Sequence, residues 1–309
     1  MMFQSMTVTN ARGDTLDLPI RNPMATGYNV VAIDGLGPVD AVLQTSNTVT
    51  TDGVIFNGAR KDEREIVINL AYYPESGKSI EELRHGTYKY FPEKEEVTLA
   101  FHADTRSVRT TGIVESNDIS MFSEKEASSI VIKCPDPWFR IDNELNRVTS
   151  FSNVEPVFEF PFNWANNPVS EPNALWFGAI QNMHSKNIMY DGESEVGVII
   201  RMSFDGPVNN IRIYNEEAGQ EIDVFTDKVR QIIPDGIRKG DELVICTVPK
   251  QKYVEIIREG ISTNILNAIN RDVRFITLHK GSNTIVYSAD SGVDNIRMSI
   301  ENETLYTGV

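Results

Sequence analysis

The chain has 309 residues, of which 40% are hydrophobic and 24% are charged, values typical of globular proteins. Its length predicts two domains, no stretch is apolar for long enough to span a bilayer, and Met1–Met6 has neither the cationic start nor the apolar segment of a secretory signal. The 44 acidic and 29 basic residues give a net charge of −15, divided as −6 over residues 1–140 and −9 over 141–309. Because both halves are acidic, nucleic-acid binding through a basic groove is disfavoured.

The first half begins with β-prone runs separated by turn residues. In Arg64–Leu70, polar and apolar residues alternate, which predicts a strand with one buried and one exposed face. Pro74–Gly77 then breaks the pattern. The strands predicted up to this point are Thr15–Ile20, Val30–Ile33, Ala41–Thr50, Gly53–Phe56 and Arg64–Leu70.

A single helix is predicted next, at about 79–91. Ser79 followed by Glu82 forms a capping box, and Pro92 ends the segment. Gly86 weakens the helix. The face expected to pack on the sheet carries Ile80, Leu83, Thr87 and Phe91. Further strands are predicted at Val97–His102, Arg109–Glu115 and Ser129–Lys133, so the first half is antiparallel β with one helix.

A domain boundary is predicted where this alternation stops. Pro135 and Pro137 in the run Cys134–Phe139 cannot donate ladder hydrogen bonds. The polar stretch that follows is a suitable linker. The predicted organisation is a first domain over 1–140, a linker over 141–152 and a second domain over 153–309.

The second half is predicted to be a β-sandwich of two antiparallel sheets, because many short strands follow one another with turn residues between them. Pro161–Pro172, rich in Asn and Pro, is predicted to be an irregular loop. The predicted strands are Ala174–Ile180, Val196–Met202, Ile211–Tyr214, Ile222–Phe225, Leu243–Val248, Tyr253–Arg258, Val273–Leu278, Thr284–Ala289 and Ile296–Ile300.

Patterns that carry catalysis or bind metals are missing from the sequence. The four histidines, His85, His102, His184 and His279, stand singly, and Cys134 and Cys246 lack metal-ligand spacing, so two buried free thiols are expected. The acidic pairs in Glu93–Glu96 and Glu216–Glu217 are interpreted as solvated turn residues.

Two short runs were considered as ligand loops and are interpreted as turns. Asp34–Pro38 has two glycines, but Pro38 removes an amide donor and no Lys follows. Asp290–Asp294 is too short for a calcium loop. No catalytic residue, cofactor or metal site is therefore predicted.

Several of these segments resemble the distal tail (Dit) proteins, hub components in the tail tips of long-tailed, siphovirus-type bacteriophages. The resemblance is carried by Cys134–Phe139, by Gly206–Asn215 with Gly219 and Glu221, by Gly240–Thr247, by Leu278–Ile285 and by Leu305–Val309. It implies a ring-forming first domain and a galectin-like second domain.

The resemblance also implies the partners and the location. The expected assembly is a hexameric ring, with two stacked rings as a further possibility, in the tail tip of a virion after assembly in the host cytoplasm. The expected partners are the major tail tube protein, a tail-tip or tail-associated lysin protein and a receptor-binding protein. DNA would pass the lumen without specific binding, and no membrane is involved.

Two other functions stay open from the sequence. The first is a glycan-binding module that attaches the particle to the host surface, for which Trp164 and Trp176, with Asn163, Asn166 and Asn167 nearby, are the aromatic and polar candidates. The second is an enzyme acting on cell-wall polysaccharide, which the missing paired-carboxylate pattern disfavours.

Overall fold

The computed structural model describes residues 3–20, 22–47, 52–74, 77–104, 106–120, 126–142, 147–156, 178–182 and 184–309. The chain divides into two compact units. The first unit consists of Met1–Glu144 and Leu305–Val309, and the second unit of Leu145–Thr304. The last five residues, which the sequence assigned to the second domain, therefore lie in the first unit.

The first unit contains ten strands and one helix before the chain leaves it, within the described residues. They are β1 (Phe3–Asn10), β2 (Thr15–Pro19), β3 (Tyr28–Asp34), β4 (Ala41–Asn47), β5 (Val54–Lys61), β6 (Arg64–Tyr72), α1 (Ile80–Tyr90), β7 (Glu96–Ala103), β8 (Ser107–Ser120), β9 (Ala127–Cys134) and β10 (Phe139–Ile141). A short 3-10 helix spans Pro23–Ala25.

The second unit is built from shorter strands and one helix. They are β11 (Arg147–Ser150), β12 (Ser152–Pro156), β13 (Gly178–Asn182), β14 (Ser185–Tyr190), β15 (Val196–Phe204), β16 (Asn209–Asn215), β17 (Gln220–Val224), α2 (Thr226–Ile232), β18 (Glu242–Cys246), β19 (Tyr253–Arg258), β20 (Ile261–Asn264), β21 (Thr277–Leu278), β22 (Gly281–Ser291) and β23 (Ile296–Asn302). The final strand, β24 (Leu305–Tyr306), belongs to the first unit.

One antiparallel sheet organises the first unit, with strand order β2-β1-β7-β8-β9-β6-β3. Strand β10 pairs with both β8 and β24. The alternation predicted for β6 is confirmed, since Ile66, Ile68 and Leu70 are fully buried while the residues between them are not. These side chains enter the core of the unit beside Ile130 and Ile132 of β9.

Helix α1 begins at the predicted capping box. The Ser79 hydroxyl accepts from the Glu82 amide at 3.2 Å, and the Ser79 amide donates to Glu82 Oε2 at 2.9 Å. Leu83 and Thr87 are buried as expected, whereas Ile80, in the first turn, stays 36% exposed.

Gly86 has a packing role in this helix. A Cβ there would lie 2.1 Å from the Tyr28 hydroxyl, which donates to the Leu83 carbonyl at 2.8 Å. A residue that weakens the helix therefore makes room for a buried tyrosine.

The second unit is a sandwich, and two antiparallel sheets contribute the side chains of its core. One has the order β11-β23-β15-β18-β19-β20 with β21 beside β15, and the other the order β14-β22-β16-β17. Alternate residues are buried in both, such as Ile200 and Met202 of β15 and Ile211 and Ile213 of β16. The predicted fold class, mainly β with an antiparallel first domain carrying one helix and a second β-sandwich domain, is confirmed.

In the second unit one helix was missed and one predicted strand is shorter than expected. Helix α2 was not predicted, because its N-cap, Phe225, makes no side-chain capping bond and seven residues give little periodicity. The strand predicted over Val273–Leu278 is reduced to Thr277–Leu278. Neither helix of the described chain is long and apolar enough to cross a membrane.

Candidate assembly site

Strands β4 and β5 form a hairpin that stands apart from the sheets. They pair from Ala41 with Lys61 to Asn47 with Val54, and within the described residues neither strand pairs with any other. Its large apolar side chains are open to solvent, with Leu43 61%, Val54 61%, Ile55 52% and Phe56 62% exposed. An isolated two-stranded hairpin is only marginally stable in water, so packing against another surface would stabilise these strands.

Above Arg60 and Lys61 at the end of β5, the hairpin is almost free of charge. Between Asp40 and Arg60 the sequence contains one charged residue, Asp52, although the chain as a whole carries −15. What it offers is therefore apolar surface and the main-chain groups along its outer edges. This is the chemistry of protein contact rather than of phosphate binding.

The foot of the hairpin is the end at which Ala41 pairs with Lys61. Arg64, three residues beyond the hairpin, is the main anchor there. Its side chain is 1% exposed, and the guanidinium donates only to backbone carbonyls within the described residues: Gly35 (2.5 Å), Gly37 (2.7 Å), Pro137 (2.9 and 2.7 Å) and Thr307 (2.8 Å). It also lies over the Phe139 ring at 4.2 Å. Burial lowers the pKa of this guanidinium, which nonetheless stays charged, as arginine does in proteins.

The glycine loop, Asp34–Pro38, precedes β4 and binds this cation. Gly35 has φ +85°, and a Cβ there would lie 1.9 Å from the Glu65 carbonyl oxygen. Only glycine fits such a position. The run Asp34–Pro38, interpreted from the sequence as a turn, thus binds an arginine through its carbonyls.

Two further contacts close the foot of the hairpin. The Asp62 amide donates to the Asp40 carbonyl at 3.3 Å, and Lys61 Nζ lies 3.9 Å from the centre of the Trp138 ring. A cleft of ≈ 420 Å³ opens beside them, lined in part by Asp62, Glu63 and Glu65. Its carboxylates form no metal-binding group in the described part of the chain.

The residues weighed as catalytic or metal-ligating candidates are dispersed. His85 lies near Glu81, His102 near Thr7, His184 near Asp294 and His279 near Glu195. Among the described residues, no three His, Cys, Asp or Glu side chains are grouped so as to hold a metal ion.

The remaining candidates are the acidic pair at Glu217, the two cysteines and the two tryptophans of the second half. Glu217 accepts from the amide and hydroxyl of Thr284, and the backbone bond is the main cause of the lowered pKa of its carboxyl. Cys134 and Cys246 are buried free thiols, as predicted, and burial raises the pKa of Cys134 to about 11. Trp164, Trp176 and the neighbouring asparagines lie outside the described residues.

Part of the chain matches a known family. Residues 25–152 match the phage tail protein RIFT-related domain, a stretch that includes the hairpin, Arg64 and the glycine loop. The chain also aligns over 97% of its length with 98% of the phage SPP1 Dit protein (gp 19.1), with a TM-score of 0.63 and 10% sequence identity.

Residues 25–152 thus carry a phage tail domain, and the chain has the fold of the SPP1 Dit protein. The resemblance stated from the sequence is confirmed. The matched family and the fold are those of structural proteins of phage tails.

Two other comparisons complete the picture. A chain in the phage P2 baseplate in its activated conformation with Ca aligns over 98% of both chains at 12% identity, with a TM-score of 0.44. Comparison with curated protein sequences gives no match.

Sequence reasoning missed the exposed hairpin and the Arg64 anchor. The strands of the hairpin were predicted, at Ala41–Thr50 and Gly53–Phe56, but their exposure was not. The signal that could have revealed it is the charge-poor run 41–59 in a chain with 24% charged residues. For Arg64, the sequence shows only one more polar residue in an alternating strand.

Proposed function

We propose that this phage tail protein is the structural hub of a tail tip or baseplate. Its first unit forms a hexameric ring that joins the tail tube to the tip, and its second unit offers attachment points for host-adsorption proteins. The proposal gains support from the matched tail domain and from the fold of SPP1 Dit, a protein described as a paradigm of hub adsorption apparatus in phages infecting Gram-positive hosts.

The observation that carries the proposal is the β4–β5 hairpin. Copies of a chain with a charge of −15 repel each other, so a contact between copies is best made on surface without charge. The hairpin provides such a surface, with exposed Leu43, Val54, Ile55 and Phe56.

The geometry of the hairpin suits a ring. Its two outer edges differ, one belonging to β4 and the other to β5, so pairing the β4 edge of one copy with the β5 edge of the next gives a head-to-tail contact. Head-to-tail contacts generate closed rings when the rotation between copies closes. Closing also covers edges that would otherwise promote open aggregation.

The protein acts in this proposal by assembling and not by catalysis. A ring of six copies gathers a charge of −90, six times the −15 of one chain. Where part of this charge lines the lumen, DNA passes without binding. An acidic wall has no cationic side chains that could displace the counterions of the DNA phosphates.

The mass of the purified chain in solution tests the proposal. A hexamer gives about 208 kDa, six times 34.7 kDa, by light scattering, with rings visible in electron micrographs, and stacked rings give twice that mass. A chain that stays monomeric at high concentration, without rings, contradicts the hub function.

A further inference from the structure

The first unit is completed by the last residues of the chain. Its main part ends at Glu144, and Leu305–Val309 return to it after the whole second unit. Strand β24 pairs with β10, placing Tyr306 opposite Phe139 and Leu305 opposite Arg140. Leu305 is 7% exposed, so this return is a packed part of the unit.

The returning segment binds the first unit through both its carbonyls and its amides. The Thr307 carbonyl accepts from Arg64 at 2.8 Å, and the Gly308 carbonyl accepts from Arg106 at 3.2 Å. Arg106 also lies over the Tyr306 ring at 4.4 Å. The Val309 amide donates to the Leu36 carbonyl at 3.2 Å.

Two of these contacts reach the foot of the β4–β5 hairpin. Leu36 lies in the glycine loop that precedes β4, and Arg64 is the first residue of β6, the strand that follows the hairpin. Arg64 binds Thr307 and the glycine loop with the same guanidinium. Without the last residues, this buried cation loses an acceptor and the Leu36 carbonyl loses a donor, which are costly losses away from water.

We propose that Leu305–Val309 act as a latch that fixes the foot of the β4–β5 hairpin and makes the first unit competent to assemble only in a chain that extends through these residues. The inference rests on the proposed function, because it assigns a control to the assembly surface of the ring. These five residues are synthesised after the entire second unit, so a chain cut short anywhere in that unit lacks the latch. Chains that stop before residue 305 are thereby kept out of the ring.

Hydrogen exchange and solution mass of two variants test the latch. In the chain ending at Thr304, amides of 36–47 and 54–64 exchange about ten- to a hundredfold faster than in the full chain, the effect expected from losing hydrogen bonds to a charged group. The mass falls to that of the monomer, while amides of β15 and β18 in the second unit keep their rates.

A milder variant decides the outcome if the shortened chain loses the fold of its first unit. Arg106→Lys replaces the planar guanidinium that bonds Gly308 and lies over Tyr306 with a compact ammonium, which weakens both contacts but leaves every other residue in place. The matched control is Arg297→Lys, which affects an exposed ion pair with Asp205 in the second unit. Faster exchange at 36–40 and 61–63 in Arg106→Lys alone, with β6 and β9 unchanged, supports the latch.

The two proposals fail in different ways. Unchanged exchange at the hairpin foot in both variants, or a shortened chain that assembles like the full chain, overturns the latch. A full chain that is monomeric overturns the ring, while the exchange rates still decide whether the last residues hold the hairpin foot.

Discussion

Arg64 is a buried cation satisfied by carbonyls from three separate parts of the chain: the glycine loop, the segment after β9 and the C-terminal return. A planar guanidinium with five donors can serve all three at once, whereas a lysine ammonium is a compact charge with three donors. The identity of this residue, and not only its charge, therefore matters to the first unit.

Arg64→Lys is expected to lower the free energy of unfolding of the first unit by roughly 3 kcal/mol or more, because several buried carbonyls lose their donors. Urea unfolding combined with hydrogen exchange of β6 and β9 measures the loss. Arg60→Lys is the control, since the Arg60 side chain is 63% exposed. Equal effects from the two changes would contradict the role given to Arg64.

The glycine loop gives a second prediction at this scale. Gly35→Ala is expected to lower the free energy of unfolding by roughly 2 kcal/mol or more, since the residue has a positive φ and its Cβ would meet the Glu65 carbonyl at 1.9 Å. Gly37→Ala is the matched control, because a Cβ there has nothing within 4 Å. Thermal melts of both proteins test this, and a similar loss at Gly37 would show that the clash at Gly35 is not the cause.

In the second unit, buried Asp241 couples stability to pH. Burial alone raises the pKa of its carboxyl, but hydrogen bonds from Arg258 (2.7 and 2.6 Å) and from the Arg238 amide (2.9 Å) outweigh burial and leave the pKa below its ordinary value. A depressed carboxyl pKa stabilises the fold above the unfolded-state value, about 3.9, and this stabilisation is lost as the pH falls through the folded-state pKa.

Asp241→Asn is therefore expected to be less stable than the unchanged protein at pH 7, with a difference that shrinks as the pH falls below about 4. Protection of the β18 and β19 amides from hydrogen exchange, compared between the two proteins at each pH from 7 to 3, measures this difference in stability. A difference that does not depend on pH would mean that the carboxylate contributes through packing alone.

At the scale of elements, the β4–β5 hairpin pairs only with itself within the described residues and has its apolar side chains in solvent. Since Phe56 is already 62% exposed, replacing it barely changes the folded monomer. Phe56→Asp places a charge on the surface proposed to meet a second copy. The expected result is a fall in mass from about 208 kDa to 34.7 kDa by light scattering.

Met189→Asp is the control for this change. Met189 is 57% exposed and lies in β14 of the second unit, so the substitution adds the same charge at a similarly exposed apolar position. It should leave the ring intact. Loss of assembly in both variants would indicate that added charge, and not the hairpin, is responsible.

At the scale of the whole molecule, assembly has to overcome the repulsion between copies that each carry −15. The screening length shrinks from about 30 Å at 0.01 M salt to about 8 Å at 0.15 M. Association is therefore expected to strengthen over this range, as measured by light scattering at fixed protein concentration. Association that weakens with salt would instead point to contacts between opposite charges.

The sequence by itself determined what is encoded locally. The alternation in Arg64–Leu70 identified β6, because successive side chains of a strand point to opposite faces. Ser79 and Glu82 identified the start of α1, because capping depends on residues only three positions apart. Local patterns of this kind, taken along the whole chain, were enough to indicate the mainly β class. The resemblance to distal tail proteins likewise depends on short local runs.

Only the tertiary structure decided which parts of the chain meet. Nothing in Leu305–Val309 indicates a return to a unit that ends 160 residues earlier, and nothing in Asp34–Pro38 indicates that its carbonyls receive Arg64. Both depend on hydrogen bonds between backbone groups, and a backbone carbonyl is the same in every residue. For the same reason strand propensity identified β4 and β5 but not their exposure, since whether a strand is covered depends on its neighbours in space and not on its own residues.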